Sequence, residues 1–218
     1  MKPAARTSLR HSARVLHQAA AHCLVYPDDE TWHARIPLLR AALAHAPDPA
    51  GAPLHAFLDH AAAHPAADLA LHYVDVFDFK DRHSLYLTWW TDGDTRRRGA
   101  SLVAFKTAYQ EHGLDYTDEE LPDFLPAVLE FTAATGSAEL LTAHRAGLEL
   151  LRIALTEAGT PYARVLDAVC ATLPGPSPKD RAEARALAAA GPARETVGLD
   201  GLPPYAHLGL LPVVTGDR

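Results

Sequence analysis

The sequence has few cysteines and no long apolar run. Cys23 and Cys170 are the only two cysteines among 218 residues, and each lies in an apolar stretch. They therefore do not provide the framework of a small disulfide-stabilised domain. No segment approaches the roughly 18 consecutive apolar residues that a membrane-spanning helix requires. We expect a soluble, cytoplasmic protein with no direct membrane insertion.

A surplus of basic residues is also missing. The chain has 20 Lys and Arg against 27 Asp and Glu, a net charge of −7. Proteins that bind nucleic acid usually carry a clustered basic footprint. The one basic cluster, Arg96, Arg97 and Arg98, follows Asp92 and Asp94, and its side chains would point in different directions on a helix. We expect no nucleic-acid partner.

The alternating runs of Val, Ile and Thr that are typical of β-strands are absent. Alanine, the strongest helix former, is concentrated instead at 41–46, 61–67 and 182–190. Apolar residues make up 48% of the chain, enough to bury a sizeable core. The fold class predicted is therefore all-α, a single-domain helical bundle of about seven to eight helices.

Helical periodicity and Gly/Pro content predict how the chain is divided. Residues 7–173 are expected to form the helical domain, 174–190 a hinge with a short C-terminal helix, and 191–218 a mobile, Gly/Pro-rich tail. Apolar residues at helical spacing form four core-facing stripes. They are Trp32, Ile36, Leu39 and Leu43; Leu69, Tyr73 and Val76; Leu141, His144, Leu148, Leu151 and Leu155; and Tyr162, Val165, Val169 and Leu173.

Motifs for catalysis are missing as well. The sequence has neither a Gly-rich phosphate loop nor a Gly-x-Ser-x-Gly elbow. His60 and His64, with Asp59 adjacent, would bring two imidazoles to one helical face, but no third ligand lies at a spacing typical of a metal site. We predict no metal site and no cofactor, and we do not expect an enzyme.

Aromatic residues are concentrated in one short region. Six lie between residues 73 and 90: Tyr73, Phe77, Phe79, Tyr86, Trp89 and Trp90. Core packing accounts for some of them. Trp89 and Trp90 are adjacent, however, so both cannot face one core from a regular element. An aromatic groove that accepts an apolar helix or peptide is the alternative.

An acidic and proline-containing segment follows at 118–123. Helix capping accounts for Asp118, Glu119 and Glu120. Asp123 and Glu130 lie inside an apolar run, where acids beside a groove would suit a peptide that carries arginine. Because an unpaired buried carboxylate is costly, we expect Asp123 to be dispensable for folding and needed for binding.

These segments together resemble a known family. Tyr73-Val-Asp-Val-Phe-Asp, Ser84-Leu-Tyr-Leu-Thr, Gly93-Asp-Thr-Arg-Arg-Arg-Gly and Glu120-Leu-Pro-Asp-Phe-Leu-Pro-Ala-Val-Leu-Glu-Phe occur in the order and spacing of that family. The family they resemble is that of the nitrate reductase molybdenum cofactor assembly chaperones, also called the NarJ or delta subunit family, which is related to the redox-enzyme maturation chaperones TorD and DmsD. The resemblance covers about residues 16–170.

The resemblance implies a non-catalytic chaperone that takes part in nitrate assimilation. It would bind the N-terminal peptide of the nitrate reductase alpha subunit and keep that subunit competent for molybdenum cofactor insertion and membrane assembly. The cofactor insertion machinery would be a further partner. With the aromatic residues added, the predicted client-binding residues are Tyr73, Phe77, Tyr86, Trp89, Trp90, Asp94, Arg96, Arg98, Pro122, Asp123, Phe124 and Glu130.

One position departs from the family pattern. Export-type relatives have a histidine after Pro-Asp, where this chain has Phe124. A nucleotide or pH-dependent role built on that histidine therefore does not carry over, and an apolar side chain suits a groove that reads apolar residues. Two alternatives stay open: a generic helical interaction scaffold, and a metal-dependent hydrolase that uses the histidine-rich surface.

Overall fold

The computed structural model describes residues 9–27, 31–79, 81–93, 95–117 and 120–190. Within these ranges the chain forms eleven α-helices and no strand, so the all-α prediction is confirmed. The only β-type pairing in this part of the chain is one isolated antiparallel bridge.

The helices are more numerous than the seven to eight predicted. They are α1 (His11–Cys23), α2 (Trp32–His45), α3 (Ala52–Ala63), α4 (Ala66–Phe77), α5 (Leu87–Asp92), α6 (Arg96–Glu111), α7 (Leu125–Thr135), α8 (Glu139–Ala143), α9 (Arg145–Glu157), α10 (Ala163–Ala171) and α11 (Arg181–Ala190). The predicted stripe from Leu141 to Leu155 is divided between α8 and α9 at His144, whose ring lies 4.7 Å from that of Phe105. The short α5 has no counterpart in the prediction.

The predicted core stripes are buried. All residues of the stripes on α2, on α4 and around α10 are buried, as are the four leucines of the α8–α9 stripe. His144 is half-buried. Periodicity therefore identified the core-facing side of these helices correctly.

The first helix, α1, packs against α7 and α10 in the core of the bundle. Leu16 and Leu24 are completely buried there. Cys23 and Cys170 are free thiols in the same core, and burial raises the pKa of both. They act as small apolar residues, as expected for cysteines in helical apolar patterns.

A buried ionic network fixes the segment after α10. Glu149 is completely buried on α9 and accepts hydrogen bonds from Arg145 (3.2 Å) and Arg152 (2.6 Å). Arg145 also donates to the carbonyl of Pro174, and Arg152 donates to that of Pro178 at 2.6 Å. The network therefore joins α9 to the segment that leads into α11.

The domain limits stay a prediction. The segment proposed as a hinge is held by the arginines of α9, and α11 packs on that same helix. The tail proposed for 191–218 lies outside the described residues. Among the helices that are described, none has the length and apolar character needed to cross a membrane.

Candidate functional site

A cavity of about 450 Å³ opens beside α4, α5 and the turn before α7. We call it the aromatic cavity. Six of the twelve predicted client-binding residues line it: Tyr73, Phe77, Tyr86, Trp89, Arg98 and Phe124. These residues come from four separate sequence segments, so the fold joins motifs that are up to about 50 positions apart.

One wall of the aromatic cavity is built by α4. Tyr73 and Phe77 are one helical turn apart and their ring centroids are separated by 4.8 Å. Both rings also contact Tyr162, at 6.0 Å and 4.9 Å. The Tyr73 hydroxyl donates to the Leu24 carbonyl at 3.2 Å, and burial raises the pKa of this phenol. The wall is therefore fixed to the core of the bundle.

A short backbone pairing builds the second wall. Residues 85–87 and 123–125 are joined by two hydrogen bonds, of 2.8 Å and 3.1 Å. This pairing is the isolated bridge between Tyr86 and Phe124, and it places their rings 5.5 Å apart. Phe124 thus supplies an aromatic surface to the cavity.

Charged side chains surround the mouth of the aromatic cavity. The Arg98 guanidinium lies 5.7 Å from the centroid of the Tyr86 ring, within the range of a cation–π contact. The Tyr86 hydroxyl donates to Glu120 Oε1 at 2.8 Å. Burial, together with this hydrogen bond, raises the pKa of Tyr86. Asp78 also lines the cavity and is exposed.

Asp123 lies beneath the cavity and does not line it. Its side chain is completely buried, and Oδ2 accepts from the Thr88 backbone amide (3.0 Å) and the Thr88 hydroxyl (2.6 Å). Its Oδ1 is buried without a hydrogen-bond partner. Asp123 was expected not to be buried unpaired; it is buried, and Oδ2 is paired with the N-terminus of another helix, α5. Its expected role in client binding stays a prediction.

The Thr88 hydroxyl extends this network to the mouth of the cavity. It accepts from Arg98 Nε at 3.2 Å while it donates to Asp123. Hydrogen bonds and a cation–π contact therefore connect Asp123, Thr88, Arg98, Tyr86 and Glu120 in that order. Asp123 thus positions α5 and Arg98, which in turn position the exposed side chains.

The two adjacent tryptophans face different surroundings, as predicted. Trp89 lines the aromatic cavity. Trp90 is half-buried, and its Nε1 donates to the Ser84 carbonyl at 3.0 Å. It packs on α9 at Gly147, where an added Cβ would lie 2.7 Å from the Trp90 Cβ. Trp90 therefore holds α5 on the bundle and leaves Trp89 available at the surface.

Besides Trp90 and Asp123, the predicted residues Pro122, Arg96 and Glu130 do not line the aromatic cavity. Pro122 is buried, and its carbonyl accepts from the Tyr109 hydroxyl at 2.5 Å. Arg96 is exposed on the first turn of α6 and does not line the cavity. Glu130 lines a second cavity. Asp94 lies outside the described residues.

Sequence reasoning missed several lining residues. They are Asp78, Ser84, Leu85, Glu120 and Leu121. Glu120 was assigned to helix capping because acids before a helix usually serve that purpose. Its observed partner, Tyr86, is distant in sequence, so no local pattern indicated the contact. Ser84 and Leu85 belong to a motif that carried the family resemblance, and that was the available signal.

The histidine-rich surface brings two imidazole rings close together. The rings of His60 and His64 are 4.0 Å apart, and His64 Nδ1 donates to the His60 carbonyl at 2.7 Å. The part of the chain that the structure describes contains no group of three or more side chains suited to hold a metal ion.

Comparisons with known proteins identify related sequences. The sequence model of the family described as nitrate reductase delta subunit matches residues 43–167. The nitrate reductase-like protein NarX of Mycobacterium tuberculosis is 38% identical over 161 residues, which are 72% of this chain and 24% of NarX.

Two of the similar proteins are named as chaperones. The probable nitrate reductase molybdenum cofactor assembly chaperone NarJ of Bacillus subtilis is 35% identical over 117 residues, which are 53% of this chain and 64% of that protein. The nitrate reductase molybdenum cofactor assembly chaperone NarJ of Escherichia coli is 31% identical over 118 residues, 53% of this chain and 50% of that protein. The chain spans less than two thirds of the length of each of these curated relatives.

Proposed function

Because this chain belongs to the nitrate reductase delta subunit family, we propose that it is an assembly chaperone for a nitrate reductase. It binds a segment near the N-terminus of the catalytic subunit, in the cytoplasm, while the molybdenum cofactor is inserted. In this proposal the molybdenum cofactor becomes part of the client enzyme, and the chain itself performs no catalysis.

The observation that supports this proposal most directly is the convergence of aromatic side chains in one open cavity. Tyr86, Trp89 and Phe124 provide ring surfaces beside the fixed rings of α4. An amphipathic helix binds by placing apolar side chains, spaced at three and four residues, into a groove of this kind. Partly buried aromatic residues are also the usual energetic centres of such interfaces.

The charges at the mouth of the cavity favour a client segment that includes a basic residue. Asp78 and Glu120 supply carboxylates there, and Arg98 is already engaged with Thr88 and Tyr86. A client lysine or arginine beside the apolar face would approach these two acids. The proposal therefore replaces Asp123 and Glu130, the acids expected from the sequence, with Asp78 and Glu120.

Binding has to be reversible, because the client leaves the chaperone when assembly is complete. A dissociation constant in the micromolar to high-nanomolar range, about −8 to −10 kcal/mol, satisfies that requirement. A rigid cavity wall reduces the entropy lost on binding, and the contacts of Tyr73 and Phe77 with Tyr162 provide that rigidity.

Calorimetric titration with a synthetic peptide from the N-terminus of the catalytic subunit tests the proposal. Trp89→Ala should weaken binding about thirty-fold, the effect of losing a hot-spot residue worth about 2 kcal/mol. Trp89→Phe should restore most of the affinity. Leu71→Ala is the control, because Leu71 is 72% exposed on α4 and lies outside the cavity.

Unchanged affinity in Trp89→Ala, with the same unfolding midpoint as the parent protein, would exclude the aromatic cavity as the client site. Equal losses in Trp89→Ala and Leu71→Ala would indicate non-specific adsorption of an apolar peptide to the surface.

A further inference from the structure

A second cavity, of about 370 Å³, shares Glu120 with the aromatic cavity. We call it the acidic groove. Its remaining lining comes from one face of α7 and from the end of α6 with the segment that follows, residues 109–117.

The α7 side of the acidic groove has the spacing of a helical face. Ala127, Glu130, Phe131 and Ala134 follow one another at three, one and three positions, so they form one stripe along about two turns. At 1.5 Å per residue the stripe is roughly 10 Å long. Other residues of α7 face the core, where the helix packs on α1. The groove is therefore elongated along a helix axis, a shape suited to another helix.

Aromatic rings form the floor of the acidic groove. The rings of Tyr109 and Tyr116 are stacked with centroids 5.5 Å apart, and Phe131 lies 4.9 Å from Tyr109. Both hydroxyls donate to main-chain carbonyls, Tyr109 to Pro122 and Tyr116 to Leu121. These bonds fix the rings in place, so the floor is a preformed apolar surface.

The edges of the groove are negatively charged. Asp115, Glu120 and Glu130 line it and are exposed, and among the described residues the lining includes no lysine, arginine or histidine. Such a surface repels nucleic acid and anionic lipid headgroups, because both carry phosphates. It attracts a cation that also has an apolar surface to bury.

From this combination of shape, apolar floor and charge, we propose that the acidic groove is a second polypeptide-binding site. Its ligand is a helical segment of a partner protein that carries lysine or arginine next to its apolar face. The segment is separate from the one in the aromatic cavity, so this inference extends beyond the proposed function and does not depend on it.

Two synthetic helical peptides of about 16 residues, roughly 24 Å long, provide the probe. One has leucines on one face and arginines on the other, and its matched partner has glutamates in place of the arginines. The arginine peptide should bind at least about ten-fold more tightly at low salt. The difference should shrink at about 1 M salt, where exposed charges are screened over a few ångströms.

Two variants locate the arginine peptide. Glu130→Lys removes one attraction to the arginine peptide and adds one repulsion. Each such surface pair changes affinity by up to about five-fold, so together they should weaken binding by about ten-fold. Ala127→Trp fills the groove and should weaken it at least as much. Leu71→Ala, at an exposed residue that lines neither cavity, should leave affinity for this probe unchanged. Melting curves show whether each variant is folded. If Ala127→Trp is unfolded, Glu130→Lys alone provides the test.

Unchanged affinity in Glu130→Lys would overturn the inference, as would equal binding of the two peptides. Loss of binding in Trp89→Ala alone would place the arginine peptide in the aromatic cavity and would also overturn it. Binding of the catalytic-subunit peptide is titrated separately, so failure of the inference and failure of the proposed function are distinguishable.

Discussion

At the scale of single residues, Asp123 connects the turn before α7 with the first turn of α5. Its carboxylate accepts two hydrogen bonds from Thr88, one of them from the backbone amide. A carboxylate at a helix N-terminus satisfies an amide that has no partner within its own helix. Because α5 carries Trp89, the buried Asp123 influences the aromatic cavity without contacting a ligand.

We predict that Asp123→Ala lowers the free energy of unfolding by about 2 to 3 kcal/mol, since it removes two buried hydrogen bonds, one of which caps α5. Thr88→Val keeps the backbone amide and loses only the hydroxyl, so it should cost about 1 to 2 kcal/mol. Urea denaturation measures both. Native stability in Asp123→Ala together with lost peptide binding would support the original sequence-based expectation of direct contact.

His17 is the second residue whose burial has a measurable consequence. Its Nδ1 lies 2.7 Å from Thr132 Oγ1 and its Nε2 lies 2.8 Å from Thr172 Oγ1, so it bridges α7 and the end of α10 from α1. Burial lowers the pKa of His17 from 6.5 to about 4, and the charge of Asp48 opposes this only in part.

This lowered pKa predicts how stability depends on pH. Between about pH 6.5 and 4 the unfolded chain binds a proton at His17 that the folded chain does not, so stability falls as pH falls through this window. The slope is about 1.4 kcal/mol per pH unit for this one group. We predict a shallower decline for His17→Gln, measured by urea denaturation at several pH values. If stability declines with pH equally in the parent protein and in His17→Gln, His17 titrates equally in the folded and unfolded states.

At the scale of elements, α5 is the helix on which the site depends most. It has only six residues, Leu87–Asp92, too few to be stable alone in water. Tertiary contacts supply what the sequence of α5 lacks: Asp123 caps its start, and Trp90 packs against Gly147 on α9. These contacts involve positions more than 30 residues apart, so local periodicity did not predict α5.

Gly147→Ala tests the close approach of α5 to α9. The added methyl group would lie 2.7 Å from Trp90 Cβ and 3.4 Å from the Leu87 carbonyl oxygen, so α5 must shift. We predict a loss of about 1 to 3 kcal/mol in unfolding free energy and weaker peptide binding, because Trp89 moves with its helix. Thermal melts and peptide titration measure the two effects.

Gly99→Ala is the matched control for this substitution. Gly99 lies in α6 with nothing within 4 Å of an added Cβ, so alanine should leave stability unchanged or raise it by up to about 1 kcal/mol. If Gly147→Ala behaves like Gly99→Ala, the contact between α5 and α9 does not constrain the position of α5.

At the scale of the whole molecule, the sequence predicted which sides of the helices face the core better than it predicted the contacts between separate segments. Stripes such as Trp32 to Leu43 depend on one helix alone, and they are buried as predicted. The roles of Asp123 and Glu120 depend on partners in other segments, Thr88 and Tyr86. Family resemblance brought several cavity residues together without showing which were exposed, because a motif carries no information on burial.

The folded chain presents two cavities that meet at Glu120 and have different chemistry. In the part of the chain that the structure describes, the aromatic cavity combines ring surfaces with one arginine and two acids, whereas the acidic groove is lined by three carboxylates and no basic residue. A partner that reached both cavities at once would gain affinity through effective concentration, without a very tight single site.

The central claim, that this chain assembles a nitrate reductase through the aromatic cavity, is tested most directly in cells that encode the chain. The gene is deleted and restored as the parent or the Trp89→Ala variant at equal protein levels, and nitrate reductase activity and the molybdenum content of its catalytic subunit are measured. We predict that deletion abolishes both, that the parent restores both, and that Trp89→Ala restores only a small fraction. Full activity and full molybdenum content in the deletion strain would contradict the account.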